Sequence, residues 1–395
     1  MVGKDFHAAS DEAPARRRET TFLSSALDYL SIHLLTDRAT VPADRIRIED
    51  REGLVSFFKD VMNWPGFEHA GSTSDYWDWK YLRKPGPKPI GYASWHYGKA
   101  ISHASIVPTQ LMVDGRAVAA GQLGDMYTHP DHRGNGLAES MLERVERQAD
   151  ADGIEIVFAF PSEAGGRIIA KRGYQELPIS FAHYHLITNP MFFERVSLGP
   201  LKKAAYKAMM MTKAPGRRPI PGMVAEVTDL PDDIDDMTQR FEAQFDLVLR
   251  HDRRYLEWRY GDPHGGAFRT LLATVDGRTV GLAVLRPYFM DGAGYMDIVD
   301  LMADPDHPQA ARGLVAQAIE MATAEGIVEV QSWVPSDHPL VPFLLRAGFM
   351  QRTPLGHERR LRMFCHPGDG HGPASVILQR PSLKAHIMLG DTDWI

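Results

Sequence analysis

The 395-residue chain carries 44% hydrophobic and 24% charged residues, which is typical of a folded globular protein. Its formal net charge of −7 gives no electrostatic reason to expect nucleic-acid binding. A single cysteine, Cys365, excludes an intramolecular disulfide framework and a cysteine-rich zinc site, and no metal site is predicted. No apolar run approaches the roughly 20 residues of a membrane span, so a cytoplasmic location is expected.

Residues 1–42 are predicted to form an extension with one amphipathic helix. Residues 1–19 are polar and charged, which is typical of a poorly ordered segment. Leucines then recur with a helical period, and this stripe is interpreted as packing on the first domain rather than as an oligomer contact or a lid. The stripe consists of Leu23, Leu27, Leu30 and Leu34.

The elements that follow are predicted from hydrophobic periodicity. In order they are a strand at residues 45–48, a helix at 52–61, a strand at 90–97 and a hairpin at 102–120. An aromatic segment, Tyr76–Tyr81, lies between the helix and the second strand.

One glycine-containing loop carries the clearest chemical signal of the N-terminal half. A strand through Asp125–Pro130 leads into Arg133-Gly-Asn-Gly136 and then into a helix predicted over residues 139–152. The first amides of a helix have no partner within it, and the helix dipole adds positive potential there. Because Gly134 and Gly136 lack a Cβ, an anion can approach the backbone closely. The loop is therefore predicted to bind a pyrophosphate.

The order of residues distinguishes this loop from other phosphate-binding loops. It contains neither the G-x-G-x-x-G dinucleotide pattern nor the G-K-[ST] ending of a P-loop. Arg133-x-x-Gly136-x-Ala138 follows a strand ending in His-Pro, and an apolar strand at 154–160 and a Gly173-Tyr174 turn come after it. Over residues 45–190 this succession resembles the GNAT superfamily of N-acyltransferases.

The resemblance implies acetyl-CoA, or another acyl-CoA, as cosubstrate. Main-chain groups of Met126 and Thr128 would hold the pantetheine and thioester. The pyrophosphate would be bound by Arg133, Gly134, Asn135, Gly136, Leu137 and Ala138.

The chain repeats these features in its second half. Tyr255–Tyr260 repeats the aromatic segment, and Pro305 precedes Gly348 by the same 43 residues that separate Pro130 from Gly173. Self-similarity at this range indicates a duplicated domain. In the second copy Pro308-Gln-Ala-Ala311 replaces the paired glycines, so pyrophosphate binding is expected only in the first.

The predicted fold is α+β (mixed α/β), with two tandem GNAT-like domains, each a mostly antiparallel mixed sheet flanked by helices, the second copy being degenerate. Residues 374–379 and 385–389 are predicted as closing strands. The predicted boundaries are 1–42 for the extension, 43–195 for the catalytic domain, 196–222 for a basic linker and 223–395 for the second domain.

The linker is rich in lysine and arginine and is predicted to contain a helix over residues 201–211. It is interpreted as a solvated connector, slightly ahead of a weak contact with an anionic membrane surface. A homo-oligomer is left open by the sequence.

Strand alternation places Asp125, Tyr127 and His129 on one face, and the resemblance implies an acidic residue of this strand, Asp125, as general base. His103, on the preceding hairpin, is a second candidate for the base. A structural role for Asp125 is weighted about equally, because Asp300 holds its position in the degenerate copy. Family members often carry a tyrosine as general acid where this chain has Ile169. Tyr127 or Tyr174 would replace it, or the thiolate would leave without a dedicated acid.

In the family, the segment between the first and second strands flanks the acceptor pocket. Substrate-binding candidates are Trp77, Trp79, Tyr81 and His103. The alternative is a packing role, which the recurrence of the aromatic segment favours.

The predicted function is acyl-CoA-dependent N-acyl transfer, with acetyl-CoA as the expected donor, to a primary amine of a small molecule or amino sugar. One alternative is an acyl-CoA-binding regulatory or scaffold protein without turnover. A peptidyltransferase that uses aminoacyl-tRNA on paired GNAT-like domains is disfavoured by the intact loop and the acidic net charge.

Overall fold

The computed structural model describes residues 43–62, 64–192, 199–201, 204, 215–352, 361–368 and 370–393. The predicted N-terminal helix and most of the predicted linker helix lie outside these residues. Within the described residues, no helix is both long enough and apolar enough to cross a membrane.

The strands form two mixed sheets, which confirms the predicted fold class. The strands of the first half are β1 (Ala43–Arg45), β2 (Ile90–His96), β3 (Lys99–Val113), β4 (Arg116–Thr128), β5 (Ile156–Ala159), β6 (Gln175–Glu176) and β7 (Phe181–Ile187). Those of the second half are β8 (Val224–Val227), β9 (Leu247–Leu249), β10 (Arg269–Val275), β11 (Arg278–Met290), β12 (Ala293–Ala303), β13 (Glu329–Pro335), β14 (Met350–Gln351), β15 (Phe364–Cys365) and β16 (Ala385–His386).

The first sheet contains three strands from the second half of the chain, β9, β15 and β16, and the second sheet contains one strand from the first half, β7. The first sheet has the order β1-β2-β3-β4-β5-β15-β6, with β9 paired to β3 and β16 paired to β9. The second has the order β14-β7-β13-β12-β11-β10-β8. Strand β7 thus lies in the second sheet and β15 in the first. The domain boundaries drawn from the sequence stay predictions.

Helices cover the sheets and supply their cores. They are α1 (Arg51–Met62), α2 (Thr73–Tyr81), α3 (Leu137–Ala151), α4 (Glu163–Lys171), α5 (Ile234–Glu242), α6 (Arg253–Leu256), α7 (Gln309–Ala324), α8 (Val341–Arg346) and α9 (Pro373–Leu378). Helix α3 buries Met141, Leu142 and Val145 completely in a cluster with residues of β2, β3 and β4. Burial of each such side chain contributes about 1.5–3 kcal/mol. This packing fixes the N-terminus of α3 beside the end of β4.

Two sequence predictions are corrected by the structure. Residues 374–379, predicted as a strand, lie mainly in helix α9, whose first residue is Pro373. Ala374 and Ile377 are buried three residues apart, a helical spacing, while Val376 between them is exposed. The first strand is Ala43–Arg45 instead of residues 45–48, and residues 48–50 form a 3-10 turn.

The two aromatic segments meet face to face between the two halves. The rings of Trp79 and Trp258 stack with centroids 4.6 Å apart and planes within 10°. Trp79 Nε1 donates to the carbonyl of Trp258 at 2.8 Å, and Trp258 Nε1 donates to the carbonyl of Trp79 at 3.1 Å. The contact is reciprocal, as expected when one motif packs against its own repeat.

Replacing Trp79 with alanine is expected to lower the free energy of unfolding by about 3–5 kcal/mol, because a buried ring and its hydrogen bond to the Trp258 carbonyl are lost. A double-mutant cycle of Trp79→Ala and Trp258→Ala, measured by denaturant unfolding, should give a coupling of about 1 kcal/mol. The control pair is Trp95→Ala with Trp258→Ala, since Trp95 lies against Gly53 within the first half. Additive effects in both pairs would contradict the reciprocal contact.

Candidate active site

The glycine loop forms an open turn at the start of α3. Gly134 and Gly136 have φ angles of 82° and 73°, in the left-handed region that favours glycine. Gly136 is the N-cap residue of α3, and no side chain caps the helix there. A methyl group on Gly134 would meet no atom within 4 Å. The first amides of α3 therefore face open space that can hold a phosphate group.

The other predicted cofactor-binding residues lie along the same turn. The exposed Arg133 side chain donates to the Thr128 carbonyl at 3.2 Å and to Tyr127 Oη at 2.7 Å. Asn135 Nδ2 donates to the carbonyl of His132 at 3.3 Å. Leu137 is buried beneath the turn, and Ala138 follows it in the first turn of α3. Arg133 thus presents a cation at the rim of the loop.

Strands β4 and β5 diverge just before this loop and leave a cleft between them. Their parallel pairing ends at Leu123 and Ala159, although β4 continues to Thr128. The β4–β5 cleft has a volume of about 290 Å³. It is lined by Leu123, Gly124, Asp125 and Met126 on one side and by Ala159, Phe160, Pro161, Ser162, Gly165 and Ile169 on the other. Met126 therefore lines the cleft, and so does Ile169.

A β-bulge in β4 turns Asp125 away from regular strand geometry. The pairing with β3 shifts between His103 and Ser105, and Asp125 has a φ angle of 47°. His103 Nδ1 makes a 2.8 Å hydrogen bond with the Asp125 carbonyl, so the bulge is held by a side chain of β3. The main chain of β4 lacks a β5 partner at the bulge.

Both oxygens of the Asp125 carboxylate are engaged by neighbouring side chains. Lys80 Nζ lies 2.7 Å from Oδ2, Tyr81 Oη donates to Oδ2 at 2.6 Å and Trp64 Nε1 donates to Oδ1 at 2.9 Å. Burial alone would raise the pKa of Asp125, but the Lys80 ammonium holds it below its ordinary value. Asp125 is a stable anion at neutral pH and a weak base.

Tyr127 and His129 lie at the end of β4, and neither lines the β4–β5 cleft. The Tyr127 ring packs edge-on against Phe57 and beneath the guanidinium of Arg133. His129 Nδ1 accepts the Asp131 amide at 3.3 Å and caps the 3-10 turn Pro130–His132. Thr128 Oγ1 lies 2.9 Å from Ser102 Oγ. These side chains shape the loop.

Of the four substrate-binding candidates, only Trp79 faces a cavity described here. Trp77 is buried and stacks on Tyr81, whose hydroxyl binds Asp125. The His103 ring is also fully buried, and burial lowers its pKa. Packing around Asp125 accounts for Trp77, Tyr81 and His103.

A second cavity, the intercopy cavity, lies beside the Trp79–Trp258 contact. It has a volume of about 50 Å³ and adjoins the β4–β5 cleft, since Gly124 and Asp393 line both. A methyl group on Gly124 would collide with Oδ2 of Asp393. Asp393 was not among the residues predicted from the sequence, because no motif near the C-terminus indicates that it returns to β4.

Asp393 is positioned by a turn of the second half of the chain that packs against strands β12 and β13. The turn Leu389–Asp391 contacts both β12 and β13, beyond the point where their parallel pairing ends at Asp297 and Gln331. Arg259 Nε donates to the Gly390 carbonyl at 3.0 Å. The C-terminal segment therefore occupies, in the second copy, the place that corresponds to the β4–β5 cleft.

Comparison with known proteins places this geometry in a family. A family model described as an acetyltransferase (GNAT) domain matches residues 43–177. This range contains the glycine loop, the bulge and the β4–β5 cleft. Residues 43–177 are therefore assigned to the GNAT acetyltransferase domain. This assignment supports an acyltransferase activity with an acyl-CoA as cosubstrate.

Solved structures share the fold over most of this chain. A probable N-acyltransferase from Enterococcus faecalis is 12% identical with a TM-score of 0.59, covering 83% of this chain and 72% of that one. A GCN5-related N-acetyltransferase from Anabaena variabilis is 12% identical with a TM-score of 0.58, covering 82% and 72%. The N-myristoyltransferase of Saccharomyces cerevisiae, with bound myristoyl-CoA, is 14% identical with a TM-score of 0.58, covering 82% of each.

The buried ion pair at Asp125 gives a stability prediction. Lys80→Met leaves a buried carboxylate without its cation and is expected to lower the free energy of unfolding by about 3–5 kcal/mol. Adding Asp125→Asn should recover most of that loss, because the uncompensated charge is then gone. The control is Arg147→Met, which removes an exposed partner of Glu143 and should cost less than about 0.5 kcal/mol. An equal loss in both single variants, measured in urea, would contradict this assignment.

Proposed function

We propose that this chain transfers an acetyl group from acetyl-CoA to a primary amine of a small molecule or amino sugar. The observation that carries the proposal is that β4 leads directly from the β4–β5 cleft into the glycine loop. A donor whose thioester lies beside Met126 can therefore place its pyrophosphate at Gly134 and Gly136. The proposal includes a cytoplasmic location and a single donor site per chain.

The first step is attack on the thioester at the β4 bulge. The amine nitrogen forms a bond to the carbonyl carbon, and the C–S bond then breaks. Main-chain groups of β4 near the bulge, which lack a β5 partner, are available to hold the carbonyl oxygen as its negative charge develops. The attacking amine must be neutral, so its proton needs an acceptor near Gly124.

Asp393 is the carboxylate that best fits the role of proton acceptor. Its Oδ2 lies against Gly124, and it makes no salt bridge with any residue of the described ranges. Burial raises the pKa of Asp393 to about 6, which makes it a stronger base than an exposed carboxylate. Lys80, Asp125 and Arg259 are the charged groups that act on it.

Asp125 serves in this proposal as a positioning residue. Its hydrogen bonds to Tyr81 and Trp64 and its ion pair with Lys80 fix the bulge, and a low pKa makes it a poor proton acceptor. The leaving thiolate takes its proton from solvent, since Ile169 occupies the cleft where family members often carry tyrosine. That absence also favours the second candidate function, an acyl-CoA-binding protein without turnover.

The donor site is tested by Gly134→Ala, which is expected to weaken acetyl-CoA binding in calorimetry by about tenfold or more, because a Cβ occupies the anion approach. The control is Gly153→Ala in the turn after α3. Gly153 has a φ angle of 78° and open space around it, so its substitution imposes the same backbone strain away from the loop. Equal affinities in the two variants would contradict the loop assignment, and tighter binding of myristoyl-CoA would contradict an acetyl donor.

The base assignment predicts the pH dependence of turnover. With a pKa of about 6, Asp393 accepts a proton only above that pH, so kcat/KM should rise with pH through about 6. Asp393→Asn should remove this limb and lower kcat/KM by roughly 10²-fold. The control is Asp152→Asn, an exposed carboxylate at the end of α3. If kcat/KM of Asp393→Asn still rises with pH through about 6, another residue is the base. If the native chain acetylates no amine, the result favours an acyl-CoA-binding protein without turnover.

A further inference from the structure

The intercopy cavity contains several charges, most of which are already neutralised. Lys80 pairs with Asp125 at 2.7 Å. Asp391 accepts from His251 Nε2 at 2.9 Å and from the Met388 amide at 2.8 Å. These groups are occupied by protein partners and have little capacity to bind a ligand charge.

Lys84 is different, because it is buried and has no acidic partner within salt-bridge distance in the described part of the chain. The side chain lines the cavity and is only 6% exposed. Its one protein acceptor is the carbonyl of Pro85, 3.1 Å from Nζ. Asp252 is the acid whose charge acts on it, from beyond 4.0 Å, and burial lowers the pKa of Lys84 to about 8.

A buried ammonium with spare donors is costly unless something compensates it. Lys84 Nζ lies 5.4 Å from the ring centroid of Trp258, which compensates a cation only weakly. An ammonium has three N–H donors, and one carbonyl uses one of them. The remaining donors are available to an anionic group of a ligand in the cavity.

Asp393 lines the same cavity at the place where the cavity meets the β4–β5 cleft. Lys84 and Asp393 do not pair with each other within 4.0 Å. The cavity thus presents a cation and a carboxylate that are held apart by the fold. A molecule with an anionic group and an amine complements both.

We propose that the intercopy cavity is the acceptor site and that the acceptor is a primary amine that also carries a carboxylate. The carboxylate binds Lys84, and the amine lies at Asp393 beside Gly124, facing the thioester. The aromatic rings of Trp79 and Trp258 line the cavity and contact the carbon chain that joins the carboxylate to the amine. This inference rests on the proposed N-acyl transfer and names its substrate class.

The test compares amines that differ only in charge. The probes are ω-amino acids of three to six carbons, their methyl esters and 1,4-diaminobutane, each with acetyl-CoA and the full chain. For at least one chain length, kcat/KM should be about 10- to 100-fold higher for the carboxylate than for its ester, because a charged hydrogen bond is gained.

Variants of Lys84 test whether the preference for the carboxylate over the ester depends on the Lys84 ammonium group. Lys84→Met should abolish it, mainly through a higher KM for the carboxylate, while the rate with the ester stays unchanged. Lys84→Arg, which retains the cation, should keep part of the preference and guards against a folding defect. The control is Lys88→Met, which removes an exposed lysine from the same loop and should leave every rate unchanged.

The outcomes separate this inference from the function on which it rests. If the native chain does not bind acetyl-CoA, the proposed function itself is overturned. Equal rates for acid and ester, or a preference that survives Lys84→Met, would overturn the inference alone. If no probe is acetylated, tryptophan fluorescence decides, since Trp79 and Trp258 line the cavity. Quenching by the ω-amino acids that Lys84→Met abolishes would support the site, and no quenching would overturn it.

Discussion

The reciprocal contact between Trp79 and Trp258 is the constraint on which the rest of the architecture depends. It joins the two halves of the chain through stacked rings and paired indole–carbonyl hydrogen bonds. In each half, a tyrosine two residues after the tryptophan binds a buried aspartate. Tyr81 binds Asp125 in the first half, and Tyr260 binds Asp300 in the second. One motif thus anchors each sheet and holds the two together.

The two halves differ at the places where their central parallel strands separate. In the first, the cleft beyond the paired part of β4 and β5 stays open and leads to a loop with two left-handed glycines. In the second, α7 begins after Pro308, and Ala310 and Ala311 are fully buried, so the first turn of α7 is covered where that of α3 is open. The corresponding cleft holds the turn Leu389–Asp391. The second half therefore contributes the end of the chain, with Asp393, to the site of the first.

Local patterns predicted the parts of the site that depend on neighbours in sequence. The helical period of α3 and the glycines before it were sufficient to predict a glycine loop at the start of a helix. Asp393 and Lys84 were missed because their roles arise from packing between distant segments, and neither belongs to a motif. The bulge at Asp125 and the exchange of β7 and β15 were missed for the same reason, since strand pairing is set by the whole sheet. The tail was assigned the wrong element because residues 374–379 are short and apolar, a pattern that fits either strand or helix.

The most direct measurement is the stoichiometry of acetyl-CoA binding to the full chain by calorimetry. The account predicts one molecule per chain, because only the first half has an open cleft joined to a glycine loop. Two molecules per chain would contradict the assignment of the second half as a support for the first. No binding would contradict acetyl-CoA as the donor for this fold.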